Sequence, residues 1–315
     1  VTVTSNGTSS QNSETGEHTT SKSTDLWWAL RGGGGGNLGV VTSVTYAIHL
    51  VPKVTRITLP LVFPWLGEAD FRRTLARYYD VSKMMGSKFS MYAAWVPKHT
   101  PLPYVAFIAD IRYFGNADDE AAKSVIGMLR KIGKPNVADT NNASLAIEAL
   151  HDDYGFGDAS TSIVVAMQPT TPTVFSDFGS AAVTGMVDLR TDRAQYASAL
   201  STCIGESIRR RIEIQILMFN TWTGMSGEMP VGPDASTPLA YGTRNGMFEI
   251  GIKVPVQDGV NEAQNKDFTA DVLQPLLNNV LSSTYFSETQ YSLPEWKTRY
   301  WGSEATVRRL ESVKQ

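Results

Sequence analysis

Two periods of hydrophobic recurrence run along this chain, and together they predict a mixed architecture. A period of two marks strands. Val105, Phe107, Ala109 and Ile111 alternate through residues 104–113, which puts them on one face of an extended segment. Residues 54–62 and 88–96 read the same way. Ile212, Ile214, Ile216 and Met218 line one face with Glu213 and Gln215 opposite, and Phe248, Ile250, Ile252 and Val254 alternate with Glu249 and Lys253. A helical period takes over in between. Phe71, Leu75, Tyr78, Ser82 and Met85 share a face over 68–85. Ala121, Val125, Met128 and Ile132 do so over 118–132, before Gly133 and Pro135 stop the helix. Further helices are expected over 142–151, 191–204 and 261–281, the last kinked or divided by Pro275, and a strand over 163–167. Strands with one apolar face, joined by short links and mixed with helices, predict an α+β fold: an antiparallel sheet covered by helices.

Residues 24–52, TDLWWALRGGGGGNLGVVTSVTYAIHLVP, stand apart from this pattern. Thr24 and Asp25 suit the start of a short helix carrying Leu26, Trp27, Trp28 and Leu30. Gly32 to Gly36 end it in a turn that admits positive φ and close approach by another backbone or a ligand. Val40, Val44, Tyr46, Ile48 and Leu50 then alternate with Ser43, Thr45 and His49 as a strand that ends near Pro52. Gly34, Gly36 and Gly39 satisfy G-x-G-x-x-G, but a dinucleotide site needs a strand before the glycines and a helix after them. The order here is reversed, and a flexible linker does not suit a run fixed between two patterned elements. Ahead of this stretch, Val1 to Thr4 read as a strand end, Asn6-Gly7 as a tight turn, and residues 5–23 as a mobile polar loop.

Composition narrows the function. The 315 residues suffice for one large or two ordinary domains, and a net charge of -3 implies no general affinity for nucleic acid or anionic membrane. No apolar run reaches the length of a membrane span. Cys203 is the single cysteine, and His18, His49, His99 and His151 lack metal-ligand spacing, so no metal is expected. G-M-S-G at Gly224 to Gly227 is not a nucleophile elbow, and no paired carboxylates stand out. Sequons at Asn6 and Asn142 are consistent with secretion without establishing it, and the oligomeric state is open.

The motif D-L-W-W-A-L-R-G-G-G-G-G-N-L-G-V-V-T resembles the end of the flavin-binding domain of berberine-bridge-enzyme-like FAD-linked oxidases, within the vanillyl-alcohol-oxidase and para-cresol-methylhydroxylase superfamily. Leu38 stands where that family usually has Phe. The resemblance implies FAD as cofactor, a small-molecule substrate and dioxygen as partners, and Gly35, Gly36, Asn37, Gly39, Val40 and Val41 on the cofactor side. Near the end of the chain, Tyr285, Trp296, Trp301, Gly302, Arg309, Leu310 and Lys314 match the family's closing segment, with Ser287 in the place of a usual Asn beside the flavin and Glu288 next to it. TPLAYGTRN, Thr237 to Asn245, resembles the family's Thr-Ala-Phe-Pro-His-Arg segment. It retains Arg244 but has Gly242 and Thr243 for Pro-His, which loses a group able to titrate near neutrality.

By the same resemblance one face of the sheet roofs the flavin, which makes Glu213 and Gln215 substrate-side residues; by themselves they read as a solvent-facing sheet surface. Glu288 and Arg244 are the catalytic candidates and Ser287 a cofactor-side one. The resemblance divides the chain into 1–52, a remnant of the PCMH-type FAD domain; 53–282, a substrate domain; and 283–315, a segment returning to the FAD domain. The family's Arg-x-x-Gly-His and Cys-containing segments, which attach FAD, are not found in it. The expectation is therefore a fragment of an oxidase that transfers hydride from a substrate to flavin, binding FAD weakly by itself. The rival readings are a cofactor-free paralogue that binds ligand or is inactive and, more remotely, a nicotinamide-dependent dehydrogenase.

Overall fold

The structure is a computed structural model that describes residues 1–46, 54–86, 88–116, 118–132, 146–150, 181–220, 237–254, 262–285 and 293–315. Its centre is a seven-stranded antiparallel sheet in the order β7-β4-β6-β5-β9-β10-β8. The strands are β4 (Val54–Pro64), β5 (Phe89–Lys98), β6 (Tyr104–Phe114), β7 (Ala146–Leu150), β8 (Ala181–Asp188), β9 (Gln215–Phe219) and β10 (Gly246–Val254). The expected α+β architecture is present.

Helices α2 (Glu68–Met84), α3 (Glu120–Ile132) and α4 (Arg193–Arg210) supply the apolar cover of one sheet face. Period two puts Phe89, Met91, Ala93 and Trp95 of β5 on that face with Val105, Phe107, Ala109, Ile111 and Tyr113 of β6, all buried. Tyr78 of α2 meets Trp95, Phe107 and Phe248 edge-on at 5.7, 5.9 and 5.6 Å between ring centroids, a favoured arrangement of aromatic quadrupoles. The Asp192 carboxylate caps α4 by accepting from the Gln195 N–H at 2.8 Å, and Arg211 closes the helix in the left-handed region. The expected division at Pro275 takes a definite form: α6 (Glu262–Phe268) passes through a π-helical turn at Thr269–Leu273 into α7 (Gln274–Val280), with the proline in the first turn of α7.

A second, smaller sheet and the two ends of the chain pack together. Strands β1 (Thr2–Thr4), β2 (Gly7–Gln11) and β3 (His18–Ser21) form an antiparallel meander. This corrects the expectation of a mobile loop over residues 5–23. The Ser/Thr runs have no apolar face, so period two was hidden, but each strand finds a backbone ladder. Helix α1 (Asp25–Leu30) lies against α9 (Glu304–Lys314), where Trp28, Ala29 and Leu310 are buried together. Between α7 and α9 runs α8 (Trp296–Trp301).

Three further expectations need correction or limitation. Residues 40–46 form no strand: Val40 is 92% exposed and Tyr46 79%, and among the described residues no strand pairs with them, while residues 47–52 of the expected strand lie outside the described residues. Residues 146–150, expected in a helix, form edge strand β7 paired with β4 from Val54↔Leu150 to Thr58↔Ala146. The expected strand at 163–167 lies outside the described residues. Strand β8 had no counterpart in the sequence reading.

Candidate functional site

The glycine turn after α1 is built in two halves. Gly32 and Gly33 are buried, and a Cβ on Gly32 would meet Leu239 Cγ and Thr237 Oγ1 at 2.7 Å, while one on Gly33 would meet the Ala29 carbonyl at 2.6 Å. Only glycine allows this packing. Beyond them, Gly34, Gly36 and Gly39 take φ of 99°, 74° and 122°, and a Cβ on Gly35, Gly36 or Gly39 would meet nothing within 4 Å. Asn37 donates from Nδ2 to the Gly33 carbonyl at 3.1 Å, which folds the open half back over the packed half.

The packed half is tied to the main sheet by a relay of hydrogen bonds. Trp301 Nε1 donates to the Gly32 carbonyl at 3.1 Å, and Thr237 Oγ1 to the Arg31 carbonyl at 2.6 Å. The Ala240 N–H donates to the Tyr300 carbonyl at 3.1 Å. A short helix, α5 (Tyr241–Arg244), then feeds directly into β10. Arg244 is buried beneath the loop, its Nε donating to the Leu239 carbonyl at 3.1 Å; burial pulls its pKa down from the usual arginine value. Residues 282–284 run along β8, exchanging backbone bonds with Met186 at 2.8 and 2.9 Å. Thr243 and Ser283 share a buried hydroxyl contact at 3.0 Å.

This relay leads to the sheet face turned away from α2, α3 and α4. The pairing register sets Met186, Glu249, Phe219, Tyr92, Asp110 and Thr58 in one row across β8, β10, β9, β5, β6 and β4. Tyr92 and Phe219 meet at 5.0 Å with a 62° interplanar angle. Burial pushes the Tyr92 hydroxyl up to about 12. Glu249 is only 1% exposed, unusual for a carboxylate. A second row, one side-chain pair further along, holds Ser90, Arg112 and Arg56. Arg56 grips Asp110 with a two-pronged fork, Nε to Oδ1 and Nη2 to Oδ2, both 3.1 Å.

The residues expected from sequence fall into three groups. Gly35, Gly36, Asn37, Gly39, Val40 and Val41 are together on the exposed side of the turn, and Arg244 is buried between that turn and β10. Gln215 is half-buried at the start of β9, at the opposite end of that strand from Phe219. Glu213 is exposed just before the strand, near His99, whose pKa burial lowers although Glu213 opposes the shift. Ser287 and Glu288 lie outside the described residues. Sequence reasoning passed over Tyr92, Asp110, Arg112 and Arg56. Their signal was present as the polar partners of the apolar alternation, but only the apolar half was used. Among the described residues no group of three or more His, Cys, Asp or Glu is placed to hold a metal ion, and no helix is long and apolar enough to cross a membrane.

Known proteins with related sequences and folds give this arrangement a context. No protein-family profile matches the chain. An FAD-linked oxidoreductase of Arthroderma benhamiae is 24% identical over 307 residues, which cover 92% of this chain and 47% of its own length. Another, from Bacillus subtilis, is 49% identical over 41 residues, 13% of this chain and 9% of that protein. Among solved structures, berberine bridge enzyme from Eschscholzia californica superimposes with a TM-score of 0.65 at 14% identity, and a xylooligosaccharide oxidase from Myceliophthora thermophila with 0.62 at 15%. Each likeness covers 95% of this chain and 60% of the other. The chain thus spans about half the length of the Arthroderma relative, and its fold is that of about 60% or less of the chain of berberine-bridge-like and VAO-type flavoprotein oxidases.

Proposed function

We propose that this chain supplies the substrate domain and one wall of the cofactor site of an FAD-linked oxidoreductase of the berberine-bridge type. The observation that carries the proposal is the relay joining the open glycine turn to the polar sheet face through Trp301, Thr237 and α5. Residues 1–52 and 283–315 would belong with the flavin side and 53–282 with the substrate side.

The residues present fit one edge of a flavin cradle. Open space lies beyond Gly35, Gly36 and Gly39, and exposed backbone in a glycine turn can approach a cofactor closely. Gly35, Gly36, Asn37, Gly39, Val40 and Val41 would hold that edge, with Ser287 beside it. When bound, FAD would accept hydride from a substrate C–H or alcohol carbon and be reoxidised by dioxygen with release of hydrogen peroxide. The chain's own part is placement. Tyr92 and Phe219 offer an aromatic surface for a small molecule, and Arg244 holds the loop that carries the turn against β10. Glu288 and Arg244 are the residues proposed to bear on the reaction, and Glu213 and Gln215 to bear on the substrate, at the outer end of the face.

The test is peroxide release by the protein isolated from its source, supplied with FAD and a panel of alcohols, sugars and phenolic compounds. Substrate-dependent peroxide supports the reading. A protein that neither retains FAD nor yields peroxide with any of them favours the second reading, a cofactor-free binding protein, which the exposure of Val40 and Val41 on the cofactor side supports.

A further inference from the structure

Arg112 is a cation on the polar sheet face whose N–H donors, among the described residues, meet no acceptor within hydrogen-bond range. Asp110 is the nearby acid, and Arg56 already occupies both of its oxygens in a fork. Arg112 reaches Asp110 Oδ2 only at 4.0 Å, beyond hydrogen-bond range, and its side chain is 23% exposed. Among the described residues neither the Arg112 guanidinium nor the hydroxyl of Ser90, its register partner on β5, has a hydrogen-bond partner. Two guanidinium groups thus share one described carboxylate. Glu148 stands opposite Arg56 in the register, on the side away from Arg112. Like charges held together in a partly desolvated setting are stabilised by a further anion, and the planar guanidinium fork matches the planar oxygens of a carboxylate.

We infer that Arg112, with Ser90, binds the carboxylate of an acidic substrate that lies across the Tyr92–Phe219 pair. This rests on the reading of the sheet face as a substrate wall. Three strand spacings and one side-chain pair separate Arg112 from Glu249, roughly 15 Å. A carboxylate held at Arg112 therefore places the body of a one- or two-ring molecule over the two aromatic rings, with its far end toward Glu249 and the side on which the glycine turn is tethered. The class of molecule this fits is an organic acid carrying a ring, oxidised at the end remote from its acid group.

The inference is tested by calorimetric titration of the whole protein with 4-hydroxycinnamate and, separately, with its uncharged amide. The expected result is tighter binding of the acid by about tenfold or more, the range of charge-assisted hydrogen bonds. Arg112→Gln should bring the acid down to the level of the amide while amide binding is unchanged. Arg112→Lys should keep part of the preference, and Asp110→Asn should increase it by removing the competing carboxylate. Equal binding of the two probes, no binding of the acid, or a preference that survives Arg112→Gln in a folded variant would overturn it. A parallel FAD titration separates the two readings. FAD binding without acid preference removes this inference alone, whereas acid preference without FAD binding keeps the acid site and removes the oxidoreductase reading.

Discussion

Gly32 and Gly35 are three residues apart in one run, yet substitution at each has a different consequence. A methyl on Gly32 collides with Leu239 and Thr237, so Gly32→Ala should destabilise the protein by about 1–3 kcal/mol, the range for overpacking, as measured by denaturant unfolding. Gly35 has no positive φ and open space beyond it. Gly35→Ala should therefore leave stability within about 0.5 kcal/mol while weakening FAD binding, and equal affinity for FAD in the two proteins would speak against a cofactor at this turn. Tyr92 gives a pH test. Its folded-state pKa is raised by burial above the unfolded value of about 10. Stability from keeping it neutral is complete below pH 10 and is lost as pH climbs toward 12. Tyr92→Phe should remove this part of the alkaline loss, seen as a smaller fall in unfolding free energy over that interval. At this scale the sequence showed the glycine turn plainly, because its composition is unusual. It did not show that two of the glycines serve packing, since that depends on Leu239 and Thr237, some 200 residues away.

Among the elements, the helix-covered face was the most legible part. Strands β4, β5, β6 and β10 and helices α2 and α3 follow directly from apolar periods, because one side of each is fully withdrawn from water. Trp95→Ala should cost about 3–5 kcal/mol, since its ring packs against Phe63, Phe71, Tyr78 and Phe107. The elements that escaped reading owe their state to partners rather than pattern. Strands β2 and β3 are polar on both faces, β7 joins the sheet edge, and the side-chain alternation of β8 is broken by Gly185, which lies against Leu281 and Ser283. The docking of α1 on α9 supplies a second pH test. Arg309 stacks over Trp28 at 4.0 Å and binds Asp25, and the hydrogen bond from Arg309 is the main cause that holds the Asp25 pKa below the usual aspartate value. Stability from this pair is present above the unfolded pKa of about 3.9 and is lost as pH falls through the folded value. Arg309→Ala should lower stability modestly at neutral pH, as both partners are about half exposed, and the difference between the two proteins should narrow in acid to what the stacking on Trp28 contributes.

Across the whole molecule, the fold separates a thick apolar half from a thin polar one. The helices and one sheet face form the core, while the other face carries Glu249, Phe219, Tyr92, Asp110 and Arg112 in succession, with the glycine turn tethered on the Glu249 side. The family resemblance gave the turn, the closing helices and the idea of a roofing sheet. The particular residues of the roof could not be picked out from one sequence, because a strand's polar side looks alike whether it faces solvent or a ligand. Only the register shows which of these side chains stand together. The proposal that this arrangement belongs to a flavin-dependent oxidoreductase is tested most directly by the visible absorption spectrum of the protein isolated from its source, recorded with its intact mass. The protein should show the two absorption bands of bound flavin, retained through purification or restored by added FAD. A protein that is colourless as isolated and stays colourless after incubation with FAD and removal of the excess would contradict it.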